Sequence, residues 1–225
     1  MNIIVIHGDD FLASKNKLHS LVSDARKKGF SIININSEVK LGAMEQLTGQ
    51  SLFEKENIYV LEGAGKISPK ELKWLFSKEK LPGTLIIYHE GFLPNNVKVV
   101  LGKDVKQEIF KLPPLIFSFL DSFYPGNSQN AAQLLHRLTP GEPTEKVIHF
   151  LGRHLRDLYW VGKDPELLPY KEDWRVLKIL SQAKKFQRGQ LEKVISELSA
   201  ADVASKTSDT PAVGLLDQII VSQLE

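Results

Sequence analysis

The hydrophobic pattern of this chain changes period partway along. From the N-terminus to about residue 111, short apolar runs alternate with stretches of helical spacing. Ile3–Ile6 reads as a buried strand, and Phe11–Lys28 as a helix with Leu18, Leu21, Val22 and Ala25 among its apolar positions. Phe30–Ile35 then reads as a strand, Val39–Leu47 as a helix, Asn57–Leu61 as a strand and Pro69–Ser77 as a helix, with strands over Thr84–Tyr88 and Lys106–Phe110 completing the set. Alternation of this kind predicts an α/β domain, a parallel sheet with helices on both faces.

Past Lys111 strand-like alternation stops. Pro113-Pro114 can continue neither a helix nor a central strand, and reads as a stiff joint. Beyond it the apolar spacing is helical: Ala131, Leu134, Leu135 and Leu138, then Val147, Ile148, Leu151, Leu155 and Leu158. It continues with Leu191, Val194, Ile195 and Leu198, and with Leu216, Ile219 and Ile220. Pro143 falls near a helix start, and Thr210-Pro211 reads as an N-cap followed by proline at the first helical position. The expected organisation is an α/β domain over 1–111, a joint with the start of the helical part over 112–127, and an all-α domain over 128–225.

Composition narrows function mainly by exclusion. Hydrophobic residues at 42% and charged residues at 25% suit a folded globular chain. A net charge of +2 gives no strong overall attraction to nucleic acid or anionic lipid, so any such contact must be local. The absence of cysteine removes disulfides, thiolate nucleophiles and cysteine-based metal sites. Ile3–Ile6 is too short for a signal-peptide core and no apolar run is long enough to span a bilayer, so a cytoplasmic protein with no membrane contact is expected.

Two loops follow a strand and open a helix, the setting of a phosphate site. In "HGDDFLASKNK" at 7–17 a single glycine replaces the glycine-rich cradle, and Asp9 and Asp10 place negative charge where phosphate would sit. Carboxylates favouring a helix N-terminus explain that loop more simply. In "VLEGAGKIS" at 60–68, Val60 stands in place of the leading glycine and Ile67 in place of the hydroxyl residue. The six histidines at 7, 19, 89, 136, 149 and 154 form no metal spacing and read as solvated or core-edge. No serine elbow or paired carboxylate suggests catalysis. Arg26-Lys27-Lys28, Lys184-Lys185, Arg153 and Arg156 read as solvated faces and ion pairs, with a DNA-facing groove as the other reading of the two arginines.

In "GQSLFEKENIYVLEG" at 49–63, Leu52 and Phe53 stand side by side on a short polar segment, where neither period turns both inward. A core anchor and a partner contact are both open from the residues alone. That segment, with "IIVIHGDDFLASKNKL" and "GFSIININ" before it and "FLDSFYPGNSQNAAQLLHRL", "HFLGRHLRDLY", "KKFQRGQLEKVISELSAADVASKT" and "VGLLDQIIVSQL" after it, resembles the delta subunit of the bacterial DNA polymerase III clamp loader, in order and over nearly the whole chain.

The resemblance implies an AAA+-like domain without a functional P-loop, followed by a helical collar domain. It implies a non-catalytic subunit with no cofactor or metal of its own, which binds and opens the ring-shaped sliding clamp (the beta subunit) for loading onto primed DNA. Leu52 and Phe53 match the hydrophobic plug that enters a clamp pocket, with Ser51 and Gln50 as flanking clamp contacts. The collar domain would join motor and delta-prime-type subunits, with DNA contact weak or indirect. One departure is large: the family's helical lid domain has no room between "QEIFKLPP" and "LIFSFLDSFYPGN". A free-standing clamp-unloading or sequestering factor, and a divergent ATPase using one of the two loops, are the competing readings.

Overall fold

The computed structural model describes residues 2–35, 57–66, 70–71, 73–74, 83–101, 105–169, 172–208 and 210–225. The chain divides into two compact units, Met1–Leu112 and Pro113–Glu225.

In the sheet unit, strands β1 (Asn2–Gly8), β2 (Ser31–Ile35), β3 (Asn57–Glu62), β4 (Thr84–Glu90) and β5 (Lys106–Ile109) form one sheet in the order β2-β3-β4-β1-β5. Every pairing is parallel, with Val5 opposite Ile87 and His7 opposite His89. β3 and β4 are almost wholly buried, as strands covered on both faces must be. On one face α1 (Phe11–Lys27) packs Leu18 and Ala25 against Ile6, Ile58, Val60, Ile86 and Tyr88. On the other, Val97 of α2 (Asn95–Val100) and Trp74 pack with Val5, Tyr59, Leu61, Leu85 and Ile87. Alternate residues of each strand therefore feed two separate cores.

The helical unit comprises α3 (Pro114–Ser122), α4 (Ser128–Leu138), α5 (Thr144–Val161), α6 (Asp173–Ala183), α7 (Gln190–Thr207) and α8 (Ala212–Leu224). The class is thus α/β followed by all-α, as the periodicity predicts. Pro114 is the first residue of α3, a position that requires no N–H and suits its fixed φ. The cap expected at Thr210 falls one residue later: Pro211, in an extended conformation, precedes α8, which starts at Ala212. α2 and α6 were not legible as helices in the hydrophobic pattern. α2 is only six residues long with Val97 its one buried position, and α6 buries only Ile179 and Gln182. The helix expected over Val39–Leu47 lies outside the described residues. Of that expected over Pro69–Ser77, Lys70, Glu71, Lys73 and Trp74 are described and helical.

One buried polar network joins three helices. The Gln182 amide nitrogen donates to the Leu120 and Phe123 carbonyls, at 2.8 and 2.9 Å, at the end of α3. Its carbonyl oxygen is left as an acceptor, so His154 of α5 must carry its proton on Nε2, 3.1 Å away. His154 is 8% exposed. Desolvation holds its pKa below the ordinary 6.5, opposed by the Gln182 hydrogen bond and by Asp121 and Asp157, with Lys178 adding to the depression. The histidine expected at the solvated or core edge is thus a buried, neutral donor.

Because the unfolded chain takes up the His154 proton at a higher pH than the folded one, stability is full above about 6.5 and falls as pH drops toward the lower folded value. Urea midpoints at pH 7.5 and 5.0 test this. The wild type should lose stability on acidification, and His154→Gln should lose less of it across the same interval.

Candidate functional site

A doubly wound sheet binds ligands beyond the carboxyl ends of its strands, where neighbouring connections leave for opposite faces. Here that place lies between β1, which leads into α1 on one face, and β4, which leads to α2 on the other. His7-Gly8-Asp9-Asp10 and His89-Glu90-Gly91 meet there. The meeting is closed by backbone: Gly8 N–H donates to the Gly91 carbonyl at 2.9 Å and Gly91 N–H donates to the Gly8 carbonyl at 3.0 Å. Gly8 has φ of +134°, and a Cβ there would collide with the Phe110 carbonyl oxygen. Only glycine permits this approach.

The loop after β1 is laced to the opposite edge as well. Phe110 N–H donates to the His7 carbonyl at 2.8 Å, and Asp10 N–H donates to the Phe110 carbonyl at 3.2 Å. The Asp9 carboxylate accepts from Leu112 N–H at 2.8 Å. The Asp10 carboxylate caps α1 by accepting from Ala13 N–H at 3.1 Å. A phosphate cradle needs loop N–H groups turned to a vacant centre. In this loop the N–H groups of Gly8, Asp10 and Ala13 are all engaged within the protein, and Asp10 supplies the negative charge at the helix start. Lys15, on the first turns of α1, is 3.3 Å from Glu62 and stands over the Tyr88 ring. Lys17 and Lys106 converge on Glu108, and their hydrogen bonds, that of Lys106 foremost, hold its pKa down against desolvation.

The second loop is similarly occupied. Gly63 N–H donates to the Tyr88 carbonyl at 3.0 Å, and Ala64–Lys66 form one 3-10 turn whose Ala64 is buried among Leu61, Ile87 and Leu93. Ile67 and Ser68 lie outside the described residues.

Behind the glycine pair sits His7. It is 3% exposed, and neither ring nitrogen makes a hydrogen bond of good geometry among the described residues, although the Gln107 side chain acts weakly against the effect of burial on its pKa. Its ring meets Phe92 edge-on, with centroids 6.5 Å apart. Burial lowers the pKa of both His7 and His89, so the pair is neutral near pH 7. Like His154, His7 is a core residue rather than a solvated one. Among the described residues no group of three or more His, Asp or Glu side chains is placed to hold a metal ion.

Gln50, Ser51, Leu52 and Phe53, the residues matched to a clamp contact, lie between β2 and β3 and outside the described residues. The basic positions fall where cations serve local structure. Arg26 and Lys27 end α1, Arg156 is 2.9 Å from Asp157, and Lys185 stands 3.3 Å over the Tyr124 ring. Asp202 and Lys206 form an i, i+4 pair at 2.7 Å on α7. No helix among the described residues is long and apolar enough to cross a membrane.

The Gly8–Gly91 closure was not read from the sequence. Its only trace there is a glycine shortly after each strand-end histidine, in "HGDD" and "HEGF". Gly8→Ala should destabilise the sheet unit by about 2–4 kcal/mol, through both strain and collision with Phe110. Asp10→Ala should cost about 0.5–2 kcal/mol, the worth of a helix cap. Urea unfolding checks both, and equal small losses would contradict the ranking.

No family model and no curated sequence matches the chain. Among solved structures it is similar to the Bacillus subtilis DNA clamp loader delta protein, at 10% identity and a TM-score of 0.41 over 100% of this chain and 95% of that one. It is also similar to a DNA polymerase III gamma subunit-related protein from Thermotoga maritima, at 13% identity and a TM-score of 0.32 over 99% and 93%. The Thermotoga maritima RuvB Holliday junction branch migration motor follows at 12% and 0.36 over 99% and 79%. Likeness at this level concerns the course of the chain and assigns no residue a role.

Proposed function

We propose that this protein is a delta-like, non-catalytic subunit of a bacterial clamp loader, which engages the sliding clamp through Leu52 and Phe53. What carries the reading is the family's motif order along one chain, with "QSLFEKENIYVLEG" at its centre. The laced crevice supports it: a loop whose N–H groups and charge are already used by Gly91, Phe110 and Asp10 suits a subunit that contributes binding energy while neighbours handle ATP.

In this reading Leu52 and Phe53 enter a pocket on the clamp, with Gln50 and Ser51 at the rim. Burying both side chains is worth about 3–6 kcal/mol before ordering costs, enough for a hot spot. The helical unit joins the motor and delta-prime-type subunits. The absence of room for a lid favours a second reading, in which the chain acts on the clamp outside a standard loader. β5 ends at Ile109 and α3 begins at Pro114, so no lid domain fits between them.

The test is binding of the purified protein to its own organism's sliding clamp. Leu52→Ala/Phe53→Ala should weaken binding by about two orders of magnitude or more while circular dichroism stays unchanged. Equal binding by the folded double variant would refute the plug. Titration with magnesium-ATP should give no micromolar affinity and no turnover. Co-purification with the motor subunit separates a loader component from a free-standing factor.

A further inference from the structure

The helical unit carries an apolar stripe that its own packing leaves uncovered. On α6, Trp174 is 69% and Leu177 is 63% exposed, although Ile179 and Gln182 on the same helix are buried. Trp174, Leu177 and the exposed Ser181 stand at i, i+3 and i+7, which places them along one side of the helix. Beside them, Lys178 is tied to Asp121 at 2.5 Å. Exposed Glu172 and Asp173 stand at the start of α6 and exposed Lys184 and Lys185 at its end. The helix dipole accounts for that charge order by itself. It does not account for an indole left mostly in water beside a leucine one turn on.

We propose that this face of α6 is a self-association surface, covered by α6 of a second copy of the chain running antiparallel about a two-fold axis. Two features of the helix fit that occupant. An antiparallel partner sets the large Trp174 over the small Ser181 of the second copy, and by symmetry the reverse, so that a projection meets a gap. The same arrangement sets Asp173 against Lys184 of the second copy. The size match and the charge match call for axes only one residue, about 1.5 Å, apart along the helix, which lysine's flexible stem absorbs. A parallel partner would instead put acids beside acids and bases beside bases. The contact is isologous, so it closes at two copies. With two large apolar side chains from each copy it is small, and a midpoint of about 10–300 µM is expected.

Sedimentation equilibrium of the full chain from about 5 to 500 µM tests this. The wild type should pass from monomer to dimer mass across that range. Trp174→Ala/Leu177→Ala, with circular dichroism unchanged, should shift the midpoint upward by at least tenfold. Asp173→Lys alone should weaken the dimer, and Asp173→Lys combined with Lys184→Asp should restore it, which a loss of folding would not do. A wild type that stays monomeric throughout, a dimer indifferent to the apolar pair, or a charge swap without recovery would each overturn the proposal.

Discussion

Two glycines facing each other across the ends of β1 and β4 decide what the sheet unit is able to do. Gly8 and Gly91 each donate to the other's carbonyl, both hold a positive φ that favours glycine, and at Gly8 a Cβ would also collide with the Phe110 carbonyl. Once that pair forms, β1 cannot part from β4 at the place where a parallel sheet of this order would receive a ligand. Phe110 then fastens the β1 loop from the other side, and Asp10 turns its own carboxylate into the start of α1. His7 is buried beside them, with neither ring nitrogen in a hydrogen bond of good geometry among the described residues.

The two units solve the problem of burial differently. In the sheet unit the hydrogen bonds are made along the strands, and side chains alternate into two mainly apolar cores. The helical unit has no such ladder between its elements. The buried Gln182 amide reaches the Phe123 carbonyl, the Leu120 carbonyl that also accepts from Phe123 N–H, and the imidazole of α5, and so ties the end of α3 to α5. Removing Gln182 would take this partner from the Phe123 carbonyl and from His154, while Leu120 would keep its bond from Phe123 N–H.

Legibility in the sequence followed length and burial. Ile3–Ile6, Asn57–Leu61 and Thr84–Tyr88 were readable because strands buried on both faces must be continuously apolar, and each appears in place, extended by one to three residues. The bundle helices α4, α5, α7 and α8 were equally plain, whereas α3, with Ile116, Phe119 and Leu120 buried, was read only as a joint and the start of the helical part because two prolines stand at its start. α2 and α6 were not, since helices held by one or two buried side chains leave almost no periodic signal. Asp10 was legible as a carboxylate at a helix start. The partner of Gly8 was not, because hydrogen bonds between residues 83 positions apart leave no mark on local spacing. Leu52 and Phe53 stood out as a pair without an inward face, and the role proposed for them rests on the resemblance alone.

Amide hydrogen exchange at Gly8 and Gly91, with and without magnesium-ATP, tests whether the switch-point crevice is held closed by its own backbone. Both amides should exchange as slowly as the neighbouring strand amides of β1 and β4, at rates that nucleotide leaves unchanged. Fast exchange at either glycine, or protection that shifts on adding nucleotide, would mean that the crevice opens and would contradict the claim.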